Sequence, residues 1–244
     1  MQYTPYRDFL AKTFPSYPKI RKLPLNGGMT CPNLDGTKSF SGCSYCNNKS
    51  FSPVWDLAKT DIITQLEKFL PPLKNKYPKA GVLAYFQPYT NTYAPASRLR
   101  EIFTPVLMHP DIAGIAIGTR PDCLPDETVA LLAEMNQVKP IIVEVGLQTS
   151  NDKTLVAINR KHTFNEFKEA VERLHKAGLI VTTHLMVGLP HETLDDFKAT
   201  AQAVKNLPIA AVKIHPLHSV CGTALAKDYA DAEFELLSFE AYTE

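Results

Sequence analysis

No stretch of this sequence approaches the roughly 18 consecutive apolar residues of a membrane span, and residues 1–25 lack the continuous apolar block of a secretory signal. These absences predict a cytosolic chain. Cysteine is scarce, with five in 244 residues, and a compartment that keeps thiols reduced gives a disulfide framework no place. No histidine occurs before His109. Internal repeats, low-complexity tracts and linkers are missing from residues 1–220. The net charge is only +1, so no strongly basic face announces a nucleic-acid partner.

What is present is enough apolar material for a core, 45% of the residues against 21% charged. A chain of this length buries about 70% of its extended surface, so it folds without disulfide or metal staples. A metal here therefore serves function. The charge is uneven: residues 1–50 carry seven Lys/Arg against two Asp/Glu. Arg7, Lys12, Lys19, Arg21 and Lys22 make the N-terminus basic, a pattern as sparse as an ordinary solvated face. Residues 228–244 hold six acidic residues and no basic one, which reads as an exposed helix or a frayed tail.

Short runs of Val, Ile and aromatics alternate with stretches whose apolar residues recur at three and four, the pattern of repeated strand-helix units. Six strands are predicted: Ile20 to Leu25, Val82 to Gln87, Ile112 to Gly118, Ile141 to Leu147, Ile180 to Val187 and Ala211 to His215. Four are nearly continuous apolar runs, as in parallel sheets covered on both faces. Among the helices, Asp61 to Leu70 ends before Pro71-Pro72, Pro95 opens Ala96 to Met108, and Asp126 caps Glu127 to Gln137. Thr163 with Glu166 forms a capping box for a helix closed by Gly178, and Thr193 with Asp196 offers a looser one for Leu194 to Asn206. The expected fold is α/β, a six-stranded partial barrel of (β/α)6 type, with residues 1–225 as the core domain and 226–244 as an acidic segment.

In such a fold ligands bind beyond the carboxyl ends of the strands. Cys31, Cys43 and Cys46 fall just past the first strand in the pattern C-x11-C-x2-C, and the tight Cys-Ser-Tyr-Cys turn lets two thiolates converge. A structural zinc site wants four protein ligands, and no local fourth ligand exists; a catalytic zinc tolerates three protein ligands and an open site, though such sites usually include histidine or carboxylate. The alternative is a four-iron cluster in which three cysteines leave one iron open. Cys123 and Cys221 stand alone and read as small apolar residues. His215, His218 and Cys221 lie across a proline-containing exit, where they suit a cavity lining as well as a second metal.

The segment Cys31-Pro32-Asn33 followed by Gly42-Cys43-Ser44-Tyr45-Cys46 resembles the cluster loop of the radical S-adenosylmethionine (radical SAM) superfamily. That superfamily's common first gap is three residues. The gap of eleven is similar to the branch of the Elongator catalytic subunit and a group of bacterial radical SAM proteins. Residues 144–150 (EVGLQTS), 159–163 (NRKHT), 184–192 (HLMVGLPHE) and 213–217 (KIHPL) resemble that branch in the same order.

The resemblance implies that Cys31, Cys43 and Cys46 hold a four-iron, four-sulfur (4Fe-4S) cluster. S-adenosylmethionine would chelate the open iron, and an electron from an external flavodoxin- or ferredoxin-type donor would cleave it to methionine and a 5'-deoxyadenosyl radical. By register, Arg160 matches a residue that meets the methionine carboxylate and Gln148 one that meets the ribose. Tyr45 would pack on the adenine, and Gly188 and Leu189 would bring backbone close to it. Three positions depart from the pattern. Gln87 and Thr90 stand where relatives carry a glycine-rich turn, Gly118-Thr119 replaces an acidic ribose contact, and His184 replaces an aspartate.

Taken alone, Arg160 reads as a solvated arginine, Gln148 as a strand-end residue, and His184 as a histidine satisfied by backbone. The implied activity is that of a radical SAM enzyme, with tRNA carrying a wobble uridine as the substrate suggested by the branch, and with no membrane or DNA partner. A small metabolite as substrate, or a non-catalytic zinc or iron-sulfur protein, remain the competing readings. Relatives usually continue beyond a segment like residues 236–244, so a substrate lid is expected outside this stretch.

Overall fold

Strands buried on both faces need apolar residues at every position, and the six short apolar runs satisfy this to different degrees. The computed structural model describes residues 3–243. Its strands are β1 (Ile20–Leu25), β2 (Gly81–Phe86), β3 (Ile112–Thr119), β4 (Ile141–Gln148), β5 (Ile180–Val187) and β6 (Ala211–Pro216). Each lies within one residue of its predicted ends. They pair in sequence order, all in parallel. All six residues of β2 are buried, whereas the edge strand β6 leaves Val212 and Ile214 exposed.

The helices are α1 (Tyr6–Thr13), α2 (Asn48–Phe51), α3 (Ile62–Lys76), α4 (Ala96–Met108), α5 (Asp126–Asn136), α6 (Asp152–Ala157), α7 (Phe164–Lys176), α8 (Leu194–Lys205), α9 (Ala224–Ala230) and α10 (Phe239–Thr243). No described helix is long and apolar enough to cross a membrane. The boxes at Thr163/Glu166 and Thr193/Asp196 are both formed, each satisfying two amide donors that a helix start leaves free.

Two helix boundaries differ from expectation. α3 continues through Pro71 and Pro72 to Lys76. Each proline withdraws one helical N–H, but Pro71, Pro72, Glu67 and Lys68 are all exposed, so water meets the carbonyls left free. Asp126 is the first residue of α5 rather than its cap, a place taken by Pro125. Its charge still favours the amide end of the helix. The acidic stretch 228–244 is not one helix: α9 ends at Ala230, a turn follows, and α10 is five residues long, with Glu244 outside the described residues.

Side-chain alternation divides each strand between two layers. Val82, Ala84 and Phe86 of β2, Ile115 and Ile117 of β3, and Ile141, Val143, Val145 and Leu147 of β4 point outward into the main core under the helices. Leu83, Tyr85, Ala116 and Ile142 point inward. The sheet is strongly curled. Lys22 Nζ on β1 reaches Glu144 Oε1 on β4 at 2.6 Å, whereas three strand spacings of a flat sheet would hold their backbones about 14 Å apart with both side chains standing off the sheet.

The amino-terminal end of this half-closed barrel is plugged. Leu10 and Phe14, from α1 and its end, pack with Leu83, Ala113 and Ile142, and Phe9, Ile20 and Ile180 lie against them. Apolar filling at that end leaves the polar inward positions of β4, β5 and β6 to face the opposite one, where the cysteine loop lies.

Candidate active site

Cys31, Cys43 and Cys46 lie on the loop after β1 and line one cavity of about 240 Å³ at the carboxyl ends of the strands. The loop is fastened by its own polar residues. Asn33 is fully buried and donates through Nδ2 to the Asn159 carbonyl at 2.6 Å and to Cys43 Sγ at 3.5 Å. Asn159 returns the contact, donating through Nδ2 to the Gly42 carbonyl at 2.6 Å. The Ser44 amide donates to Ile158 at 3.0 Å. Residues 158–160 thus form a brace behind the cysteines.

Arg160 is the centre of that brace. Its Nη1 donates to Cys43 Sγ at 3.5 Å, its Nη2 to the Gly146 carbonyl at 2.6 Å, and its Nε to His162 Nε2 at 3.1 Å. Its neighbours Asn159 and Lys161 have positive φ, 55° and 58°, a conformation that costs a non-glycine residue and persists where the surroundings impose it. Gly146 is required by the approach: a Cβ there would lie 3.0 Å from Gln148 Nε2 and 3.1 Å from Arg160 Nη2.

Charge follows from these contacts. Burial alone would raise the Cys43 thiol, but the Arg160 guanidinium beside it, with Arg120 farther off, holds it below its ordinary value. Burial, then the Cys43 sulfur, Arg160 in the opposite sense, and Cys31 leave the Cys46 thiol pushed up to about 12. The Cys46 sulfur therefore senses both of the others. Burial, followed by Arg160 and Arg120, brings His162 down to about 3, so it is neutral and free to accept from Arg160. Burial raises the Tyr45 hydroxyl.

The cavity wall also includes Tyr45, Gln87, Thr90, Gln148, Arg160 and His184, so the structure brings together six of the eight expected cofactor residues with all three cysteines. Gln87 donates through Nε2 to the Phe51 carbonyl at 3.1 Å, and the Thr90 amide to Thr30 at 3.2 Å. Gln148 has φ 82° at the bulge that ends β4. Gly188 and Leu189 are not on the wall. Leu189 is buried with Ile158, Met186 and Leu217, with Tyr45 packed against them, and Gly188 faces Leu237.

The wall carries residues with no role in the sequence reading: Glu144, Tyr85, Arg120 and Lys213, with His215 beside them. Arg120 is buried, doubly bonded to Asp122 at 2.9 and 3.0 Å, and donates to the Arg160 carbonyl at 2.6 Å. A glutamate inside the apolar run of β4 was the available signal for Glu144. His218 and Cys221 do not reach the wall.

The donor set on this wall is three thiols with no fourth sulfur, while Cys123 is buried away from it. Among the described residues no three His, Cys, Asp or Glu side chains are grouped around the position of a single metal ion. Three thiols on one cavity wall with no fourth suit a polynuclear cluster, in which each thiolate takes a different iron and one iron keeps an open corner.

Residues 40–204 match the family model of the radical SAM superfamily. Over 226 residues the chain is 42% identical to the protein YtqA of Bacillus subtilis, covering 93% of this chain and 70% of that one. It is 31% identical over 117 residues to a tRNA-2-methylthio-N(6)-dimethylallyladenosine synthase of Endomicrobium trichonymphae, covering 47% of this chain and 28% of that one. Among solved structures, the archaeal Elp3 of Methanocaldococcus infernus with its first 46 residues deleted superposes with a TM-score of 0.62 at 18% identity, covering 89% of this chain and 50% of that chain. The chain thus spans about half the length of that solved protein.

Proposed function

The chain belongs to the radical SAM superfamily and carries the fold of its enzymes; from that premise we propose that it cleaves S-adenosylmethionine reductively at a 4Fe-4S cluster and acts on a wobble uridine of tRNA. The observation that carries the first part is the joint placement of Cys31, Cys43 and Cys46 on one cavity wall with Arg160. When bound, cluster and cofactor would supply one-electron cleavage of a carbon-sulfur bond and a 5'-deoxyadenosyl radical. An external flavodoxin- or ferredoxin-type protein would be the electron source.

The protein's own residues bind, orient and exclude water. Cys31, Cys43 and Cys46 would ligate three irons. Arg160 keeps a fixed cation beside Cys43 and would meet the methionine carboxylate, a pairing that its planar fork suits better than an ammonium would. Tyr45 offers its ring, Gln148 its amide, and Gln87, Thr90 and His184 complete the polar wall. Residues 1–225 would form this core and 226–244 an appended acidic segment.

The Elongator-like branch and the tRNA substrate rest on the order of the sequence motifs, the superposition on Elp3 and the partial match to a tRNA-modifying synthase. Anaerobic reconstitution with reductant and S-adenosylmethionine should yield 5'-deoxyadenosine from wild type and none from Cys43→Ala. Equal yields from the two would sink the cofactor reading. Wobble nucleosides unchanged in cells lacking the protein would sink the tRNA reading.

A further inference from the structure

Glu144 lies inside the barrel with 3% of its surface exposed. Its Oε1 accepts from Lys22 Nζ at 2.6 Å and its Oε2 from the Tyr85 hydroxyl at 2.7 Å. The same Oε2 is 2.8 Å from His184 Nε2, and His184 Nδ1 is 3.1 Å from His215 Nε2. Glu144, His184 and His215 lie on three successive strands, and all three side chains line the cavity that holds the cysteines.

One ionised group orders the whole chain of contacts. Burial works against the Glu144 carboxylate, but the His184 hydrogen bond and the Lys22 cation outweigh it and hold the carboxyl well below its ordinary range. An ionised carboxylate only accepts. A neutral His184 presents Nε2–H to Glu144 and keeps a lone pair on Nδ1. That lone pair accepts from His215 Nε2–H, which leaves His215 with a lone pair on its own Nδ1. Among the described residues nothing bonds to this Nδ1.

The charged or titratable groups around His215 are His184 on β5, Lys213 on β6, Glu144 on β4 and His218 in the next loop. Burial, first of all, brings His215 down to about 4, so the ring is neutral at neutral pH.

Building on the reading that this cavity takes a uridine, we propose that His215 Nδ1 accepts a hydrogen bond from the imide N–H of the substrate's uracil ring, with Glu144 and His184 as positioning residues that make it an acceptor. The arrangement selects against cytosine. That ring carries a lone pair where uracil carries the N–H, and lone pair would meet lone pair.

The test uses the full chain purified without oxygen, its cluster in place and its histidines labelled with nitrogen-15. Spectra of His184→Asn and His215→Asn assign the two rings. At neutral pH both rings should carry their proton on Nε2. Glu144→Gln should disturb the His215 ring, whereas Tyr85→Phe, which leaves the carboxylate ionised, should not. Millimolar uridine should shift His215 Nδ1, and N3-methyluridine or cytidine should not.

A His215 ring that is charged at neutral pH, holds its proton on Nδ1, or answers uridine and N3-methyluridine alike overturns the proposal. So does a ring indifferent to Glu144→Gln; where that variant does not fold, the wild-type ring state and the nucleoside responses decide. These spectra require no turnover. Wild-type protein that makes no 5'-deoxyadenosine refutes the functional reading, whereas turnover beside a His215 that ignores uridine refutes this inference alone.

Discussion

Arg160 Nη2 donates to the backbone carbonyl of Gly146 at 2.6 Å, joining the brace behind the cysteine loop to the open end of β4. The same guanidinium serves Cys43 and His162. A lysine keeps the charge but has a single nitrogen on a flexible stem, so it cannot reach all three partners. Arg160→Lys should therefore destabilise the cluster-free chain by about 1–3 kcal/mol, the cost of leaving buried partners unmet. Denaturant unfolding of the two proteins measures it, and an unchanged midpoint would mean that Arg160 braces nothing.

Gly146 tests the same contact from the other side. A methyl group there would press on Gln148 Nε2 and Arg160 Nη2 at 3.0 and 3.1 Å. Each neighbour need give by only a few tenths of an ångström, which keeps the Arg160 hydrogen bonds, so Gly146→Ala should cost little stability. It should instead shift Arg160 and Gln148 slightly within the proposed cofactor site. The expected outcome is a melting temperature within a few degrees of wild type with a raised half-saturating concentration of S-adenosylmethionine. Unaltered cofactor binding would remove Arg160 and Gln148 from the proposed site.

The strands were legible because their burial on both faces forces apolar residues at nearly every position, as in β2. The cysteine loop stood out by its spacing, and its reading as a cluster loop came from the resemblance of the motifs around and after it. Arg160 was different: its local sequence is ordinary, and only the order of the neighbouring motifs marked it. His162 is a local neighbour, but Gly146 and Cys43 reach Arg160 only through the tertiary fold, which no local pattern encodes. Helix α1 escaped because charged Arg7, Asp8 and Lys12 mask the spacing of Phe9 and Leu10. The network at Glu144 draws Lys22, Tyr85 and His184 from three other strands; Lys22 and Tyr85 look unremarkable in their own segments, and His184 stood out only through the motif register.

That network sets a pH dependence. Glu144 has a folded pKa below its ordinary value of 4.5, so the unfolded chain takes up a proton first as the pH falls. Its stabilisation is fully present above about 4.5 and is lost progressively below it. Thermal melts of wild type should fall more steeply with acid below pH 4.5 than those of Glu144→Gln, which has no proton to gain. Parallel curves in that range would show that the carboxylate is not held as described.

His162 acts over a higher window. Its ordinary value of 6.5 falls to about 3 in the folded protein, by burial and then by Arg160. Between those values the unfolded chain binds a proton that the folded chain refuses, so stability declines as the pH drops from 6.5 toward 3. His162→Asn, which offers Arg160 an acceptor without titrating, should flatten the decline between pH 6.5 and 4.5, above the range in which Glu144 acts. Melting temperatures across that interval read the difference directly, and equal slopes would place the proton elsewhere.

The plug of the barrel gives the sharpest test of the fold itself. Phe14 is 4% exposed and lies beside Gly114 on β3, where a Cβ would come 2.5 Å from the Pro140 carbonyl and 2.8 Å from the Phe14 ring. The glycine makes room for both. Phe14→Ala should cost about 3–5 kcal/mol, the range for emptying a buried aromatic site. Gly114→Ala should be destabilising too, because backbone at Pro140 cannot give way as a flexible side chain can. In the double variant the truncated ring relieves one of the two clashes, so the combined loss should be smaller than the sum. Simple additivity would show that α1 packs elsewhere and that the amino-terminal end of the barrel is closed by other residues.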